Sequence, residues 1–130
     1  MTLVVDASAL AAWLLPDETS ADLGTVIAEH ADVLAPWLLW AELRNILIVT
    51  ERRGRLPQGV ADRLIEAVEG LGIELDTVPT NAGVLGLARQ HALTVYDALY
   101  LELALRHGAM LATLDTKLAQ SARAEGIILV

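Results

Sequence analysis

Five brief apolar runs, each closed by a break and separated by stretches of helical length, constrain this chain more than any other feature. LVV (3–5), VLA (33–35), IELDTV (73–78), MLATL (110–114) and IILV (127–130) are too short for buried helices and read as strands. The third alternates, as an edge strand would. Between them lie SALAAWLL, a helix ended by Pro16, and a helix running to about His30 that the capping-box spacing Thr19-x-x-Asp22 opens. A long apolar helix follows over 37–53, with Arg52 and Arg53 in its last turn and Gly54 beyond. Pro57 suits the first turn of another helix, in which Val60, Ala61, Leu64, Ile65, Val68 and Leu71 share one face. Further helices are predicted over 81–92, 96–107 and 116–124. Strands alternating with helices in this way predict one α/β domain over 1–130: a mostly parallel sheet of about five strands with helices on both faces.

The interior must be built from Leu, Val, Ile and Ala, because 55% of the residues are hydrophobic and none is Phe. That fraction is high for a small domain, so some apolar surface is expected to be covered by a partner or a second copy. With no Cys, a disulfide scaffold and a thiolate metal site are excluded. Asp6 interrupts the early apolar run, and Glu42 breaks the longest one near Trp37, so neither a signal peptide nor a membrane span is expected. An intracellular, cytoplasmic protein is the expectation. The net charge is −8 and Lys117 is the single lysine, which argues against broad electrostatic binding of nucleic acid.

Asp6 directly follows the first strand and Asp115 directly follows MLATL. In a parallel sheet both stand on the edge where ligands bind. Asp97 opens the helix YDALYLELALRH, and Glu42 lies inside the long helix. Each aspartate alone reads equally well as a helix N-cap, and Glu42 alone as a glutamate reaching solvent or pairing with an Arg. Together they point elsewhere. Close carboxylates repel by roughly 4 kcal/mol per pair at an effective dielectric near 20. A cluster of them persists only with raised pKa values or a bound cation, and oxygen-only ligands favour Mg²⁺ or Mn²⁺.

At these residues the chain resembles a known family. VVDASAL (4–10), the E-x-x-N of Glu42 to Asn45, YDALYLELA and the G-x-x-L-x-T-x-D of Gly108 to Asp115 are similar, in order and spacing, to the motifs of PIN-domain ribonucleases. More narrowly they resemble VapC toxins of prokaryotic toxin–antitoxin pairs. The resemblance spans essentially the whole chain. It implies a three-layer α/β/α fold with strand order 3-2-1-4-5. It also implies a Mg²⁺-dependent endoribonuclease (Mn²⁺ serving as well) that cuts structured RNA, often tRNA, to a 3′-hydroxyl and a 5′-phosphate. By the same resemblance Asp6, Glu42, Asp97 and Asp115 form the catalytic and metal-binding quartet. Thr113 is a hydroxyl that orders the site, and Ser8 a small hydroxylated neighbour of the first aspartate. A homodimer and a VapB-like antitoxin that presents a cation to the acidic pocket are the implied partners.

Other residues read structurally. His30, His91 and His107 have no ligand spacing among them. Glu102 and Arg106 form an i,i+4 pair of a solvated face. Trp13, Trp37 and Trp40 suit core or interface. Asn45 either orients Glu42 or is a buried amide. Arg44, with ERRGR (51–55), either contacts phosphate or, for Arg52 and Arg53, favours the helix dipole. Among other functions, a haloacid-dehalogenase-type phosphatase would need an Asp where Ser8 stands. A receiver-type phospho-acceptor would need paired acids after the first strand. A non-catalytic PIN-like module would have no reason to keep four repelling carboxylates. A PIN-like nuclease outside a toxin–antitoxin pair stays open at this level.

Overall fold

Leu3, Val4 and Val5 are wholly buried, so strand β1 (Thr2–Val5) has no face to offer to water. A strand of that kind belongs in the middle of a parallel sheet covered on both sides. The computed structural model, which describes residues 1–15 and 22–130, places it there. Among these residues β2 (Asp32–Pro36), β3 (Glu74–Asp76) and β4 (Met110–Ala112) complete a sheet of order β3-β2-β1-β4, every pairing parallel.

Successive side chains of β1 point to opposite faces, and the core divides accordingly. Leu3 and Val5 join Val33 and Ala35 under α1 (Ala7–Leu14), α2 (Leu23–Ala28), α3 (Leu38–Arg52) and α4 (Val60–Glu69). Val4, Leu34 and Leu111 pack against α5 (Asn81–His91), α6 (Val95–His107) and α7 (Thr116–Ala124). The apolar face expected of α4 is seen: Val60, Leu64, Ile65 and Val68 lie against the first of these clusters. The connection from β1 to β2 therefore runs over one face, while β4 is reached from the other. The order in which strands are added reverses between β1 and β4, and the carboxyl ends of those two parallel strands flank a crevice.

The fifth strand is reduced to a single rung. Leu129 bridges Leu111 in parallel, with the Leu111 N–H donating to Ile128 and the Val130 N–H to Leu111. The position next to β4 is the expected one, so the order 3-2-1-4-5 holds in outline. The ladder does not lengthen because β4 stops at Ala112, two residues short of the predicted end, where Thr113 turns its hydroxyl to Asp6. β3 is likewise shorter than 73–78, since as an edge it pairs only with Leu34–Pro36. Helix α4 begins at Val60, not at Pro57. Gly59 sits at its N-cap with φ of 89°, a left-handed conformation that interrupts any helix entered at Pro57. Pro16 and Thr19, the stop and the cap expected around the second helix, lie outside the described residues. Asp22 does cap α2, accepting from the Thr25 N–H at 3.2 Å.

Candidate functional site

Asp6 leaves β1 at the crevice, where its own N–H donates to the Ala112 carbonyl at 3.1 Å. Asp6 is buried, 5% exposed, and its carboxylate is held by three donors. The Ala9 N–H reaches Oδ1 at 2.9 Å, the Ser8 hydroxyl reaches the same oxygen at 2.7 Å, and the Thr113 hydroxyl donates to Oδ2. Asp6 thus caps α1 and occupies the crevice at once; the two readings of this residue are compatible. Burial raises its pKa, the three donors oppose that rise, and Asp115 adds to it.

Asp115 caps α7, accepting from the Leu118 N–H at 2.8 Å, and its own N–H donates to Thr113 Oγ1 at 3.0 Å. Thr113 and Ser8 connect the two aspartates further, because the Leu114 N–H donates to Ser8 Oγ at 2.9 Å. Asp97 is not a cap. That position belongs to Thr94, whose hydroxyl accepts from the Asp97 N–H at 3.1 Å. Asp97 stands in the first turn of α6, half-buried, with its pKa raised by burial and by Asp115, against which Thr94 and Lys117 act.

Glu42 neither reaches freely into solvent nor pairs with an arginine. Its Oε1 accepts from the hydroxyl of Tyr100 at 2.6 Å. Burial raises its pKa, the Tyr100 hydrogen bond lowers it, and Asp6 and Asp97 raise it again. Asn45 is exposed and does not take the role of orienting it. Arg44 is engaged elsewhere, stacked 4.0 Å above the Trp40 ring and 3.8 Å from Glu69. Tyr100 is the residue that sequence reasoning missed. Its signal was its place one helical turn after Asp97, on the same face of α6.

The electrostatic neighbours form a closed ring: Asp6 with Asp115, Asp115 with Asp97, Asp97 with Glu42, Glu42 with Asp6. Among the described residues, however, no three acids or imidazoles converge as a ready chelate. The donor chemistry nonetheless fits a hard divalent cation. Each carboxylate keeps lone pairs beyond those its donors use. Mg²⁺ is typically bound through one or two carboxylates, with waters and substrate phosphate completing its shell. A direct cage of all four side chains is not what this geometry offers.

Glu102 and Arg106 correct the expectation of a solvated pair. Glu102 is buried, and Arg106 bridges it (Nε to Oε1 2.8 Å) to Asp76, whose two oxygens lie 3.0 and 2.7 Å from the guanidinium nitrogens. The histidines are structural where bonded: His91 to Glu125 at 2.9 Å and His30 to the Val26 carbonyl at 2.7 Å. Trp37 and Trp40 are 47% and 56% exposed, so of the two expectations the core is ruled out for both. No helix among the described residues is long and apolar enough to cross a membrane.

A parallel α/β sheet with acids at the carboxyl ends of its switch-point strands defines a class, and comparison with known proteins agrees. Residues 3–124 match the PIN domain, and the chain belongs to that family, on its VapC-like side. It is 37% identical over 124 residues to Ribonuclease VapC3 of Pyrobaculum aerophilum, covering 92% of this chain and 94% of that protein. The crystal structure of PAE2754 from the same organism superposes with a TM-score of 0.78 at 30% identity, over 100% of this chain and 92% of that one. FitAcB from Neisseria gonorrhoeae shares the fold, with a TM-score of 0.68 at 19% identity over 98% and 95% of the two chains.

Proposed function

We propose that this chain is a Mg²⁺-dependent endoribonuclease, with Asp6, Glu42, Asp97 and Asp115 as its metal-binding and catalytic acids and Thr113 ordering them. The single observation that carries the reading is the buried Asp6 carboxylate, held by Ser8, Thr113 and the Ala9 N–H next to the Asp115 cap at the switch point, in a chain similar to a protein named as a ribonuclease. Three of those acids have raised proton affinity, the state of a site short of positive charge. Bound Mg²⁺ or Mn²⁺ supplies Lewis acidity toward the scissile phosphate and lowers the pKa of a water. The protein's own part is positional. Ser8, Thr113 and the Ala9 N–H fix Asp6. RNA, with tRNA the foremost candidate, is the substrate.

The same reading makes the chain the toxin of a VapBC-type pair, homodimeric and cytoplasmic. An apolar groove lined by Ala9, Leu23, Val26, Ala112 and Leu114 includes Thr113, which bonds Asp6. It suits an apolar helix of a VapB-like antitoxin whose cationic end would reach the acids and stand where the metal binds. The test uses purified protein and total RNA. Cutting should require Mg²⁺ or Mn²⁺, stop in EDTA, and leave 5′-phosphate ends that ligate directly. Cutting undiminished in EDTA would contradict the reading.

A further inference from the structure

Tyr100 is 2% exposed and lies in the middle of α6, packed in the core cluster that contains Val4, Leu34 and Leu111. Its hydroxyl does not end in that core. It crosses to α3 and donates to Glu42 Oε1 at 2.6 Å, a length characteristic of an O–H donor facing an ionised carboxylate. Glu42 itself is only half-buried, on a side chain with three rotatable bonds and an open route to water. Without a donor behind it, that carboxylate has no fixed position.

We propose that Tyr100 is a positioning residue of the acidic site: the hydrogen bond from α6 to α3 holds the Glu42 carboxylate toward Asp6 and Asp97. The inference rests on the metal-site reading above. Three observations support it independently of sequence likeness. Tyr100 follows Asp97 by three residues, so one helix face carries both an acid of the ring and the anchor of another. No buried side-chain polar atom among the described residues lacks a partner, and Glu42 is the side-chain partner of this hydroxyl. Asn45, the neighbour that could have done the same from within α3, is exposed. Phe at this position would keep the packing and lose only the anchor.

The experiment is a calorimetric Mn²⁺ titration of four proteins: wild type, Tyr100→Phe, Glu42→Gln and the double variant. Thermal melts confirm that each is folded. Removing the group that orients a metal ligand typically weakens metal binding by about tenfold or more, and that loss is expected for Tyr100→Phe. In the Glu42→Gln background the same change should weaken binding no further. Equal Mn²⁺ affinity of wild type and Tyr100→Phe would overturn the inference while leaving the metal site intact. So would an equal loss in both backgrounds, which would mark general damage. Failure of wild type to bind Mn²⁺ would instead overturn the metal reading, and this inference with it.

A second measurement keeps the hydroxyl at position 100. The chain has two tyrosines, and 3-fluorotyrosine labels both, Tyr96→Phe assigning the signals. The Tyr100 fluorine resonance should move on addition of Mg²⁺ in the protein with Glu42 and stay in Glu42→Gln. A resonance that ignores Mg²⁺ in both would overturn the inference.

Discussion

Asp6 shows how much one carboxylate can do when three donors surround it. It ends a strand, caps a helix and faces Asp115, and the pKa consequences follow from which of these dominates. Burial dominates at Asp6, Glu42 and Asp97, so the pKa of each is raised from its ordinary value. A group raised on folding binds protons more readily in the folded than in the unfolded chain. Stability of the metal-free protein should therefore increase as pH falls through the raised values toward the ordinary ones. Asp76 works in the opposite sense. Arg106 lowers its pKa, so its contribution is present above the ordinary aspartate value and is lost as pH falls through the lowered one. Urea unfolding in EDTA should accordingly show stability declining as pH rises from the ordinary carboxylate values through the raised ones, where these groups lose their protons. Mg²⁺, competing with those protons, should flatten the decline. Stability that climbs steadily with pH in EDTA would contradict the assigned shifts.

At the scale of elements, the Glu102–Arg106–Asp76 bridge fastens α6 to the end of β3, and Thr80 at the start of α5 adds its N–H at 3.3 Å from Glu102. Arg106→Ala would leave a buried carboxylate without its cation, and a loss of about 2–3 kcal/mol in unfolding free energy is expected. Arg106→Lys should recover only part, because an ammonium cannot fork to two carboxylates. A loss under about 0.5 kcal/mol, the value of an exposed i,i+4 pair, would show the bridge to be solvated after all. This bridge also marks where sequence reading runs out. Strand runs and the acids that follow them are legible because period and position are local signals; hence Asp6 and Asp115 stand where expected. Asp97 is legible as an acid near a helix start, but the choice of Thr94 as the cap depends on where the helix begins. Tyr100 reaches Glu42 across 58 residues, and Arg106 reaches Asp76 across 30. Such pairings are set by how helices lie on the sheet, which no local pattern records. The short length of the fifth strand and the start of α4 were not legible for a related reason: one side-chain turn at Thr113 and one left-handed glycine outweigh propensity.

For the molecule as a whole, the apolar excess has a visible outlet. Trp37, Leu85, Val95 and Tyr96, between 41% and 60% exposed, line one groove. A patch of this kind is expected to be covered by a second copy, so light scattering at micromolar concentration should give a mass near twice 13.9 kDa. A monodisperse monomer would count against the dimer. The central claim, that four carboxylates act as one cation site, is tested most directly by thermal melts of wild type and Asp97→Asn, each in EDTA and in millimolar Mg²⁺. Thr94 remains to cap α6 in both proteins, so capping is held constant. Removing one charge from the ring should raise the metal-free midpoint, each 1 kcal/mol of relieved repulsion being worth about 4 °C in a chain of this size. On the proposed reading Mg²⁺ binds only the folded state, so it should raise the wild-type midpoint and leave the variant nearly unmoved. Equal midpoints in EDTA together with equal responses to Mg²⁺ would contradict the account.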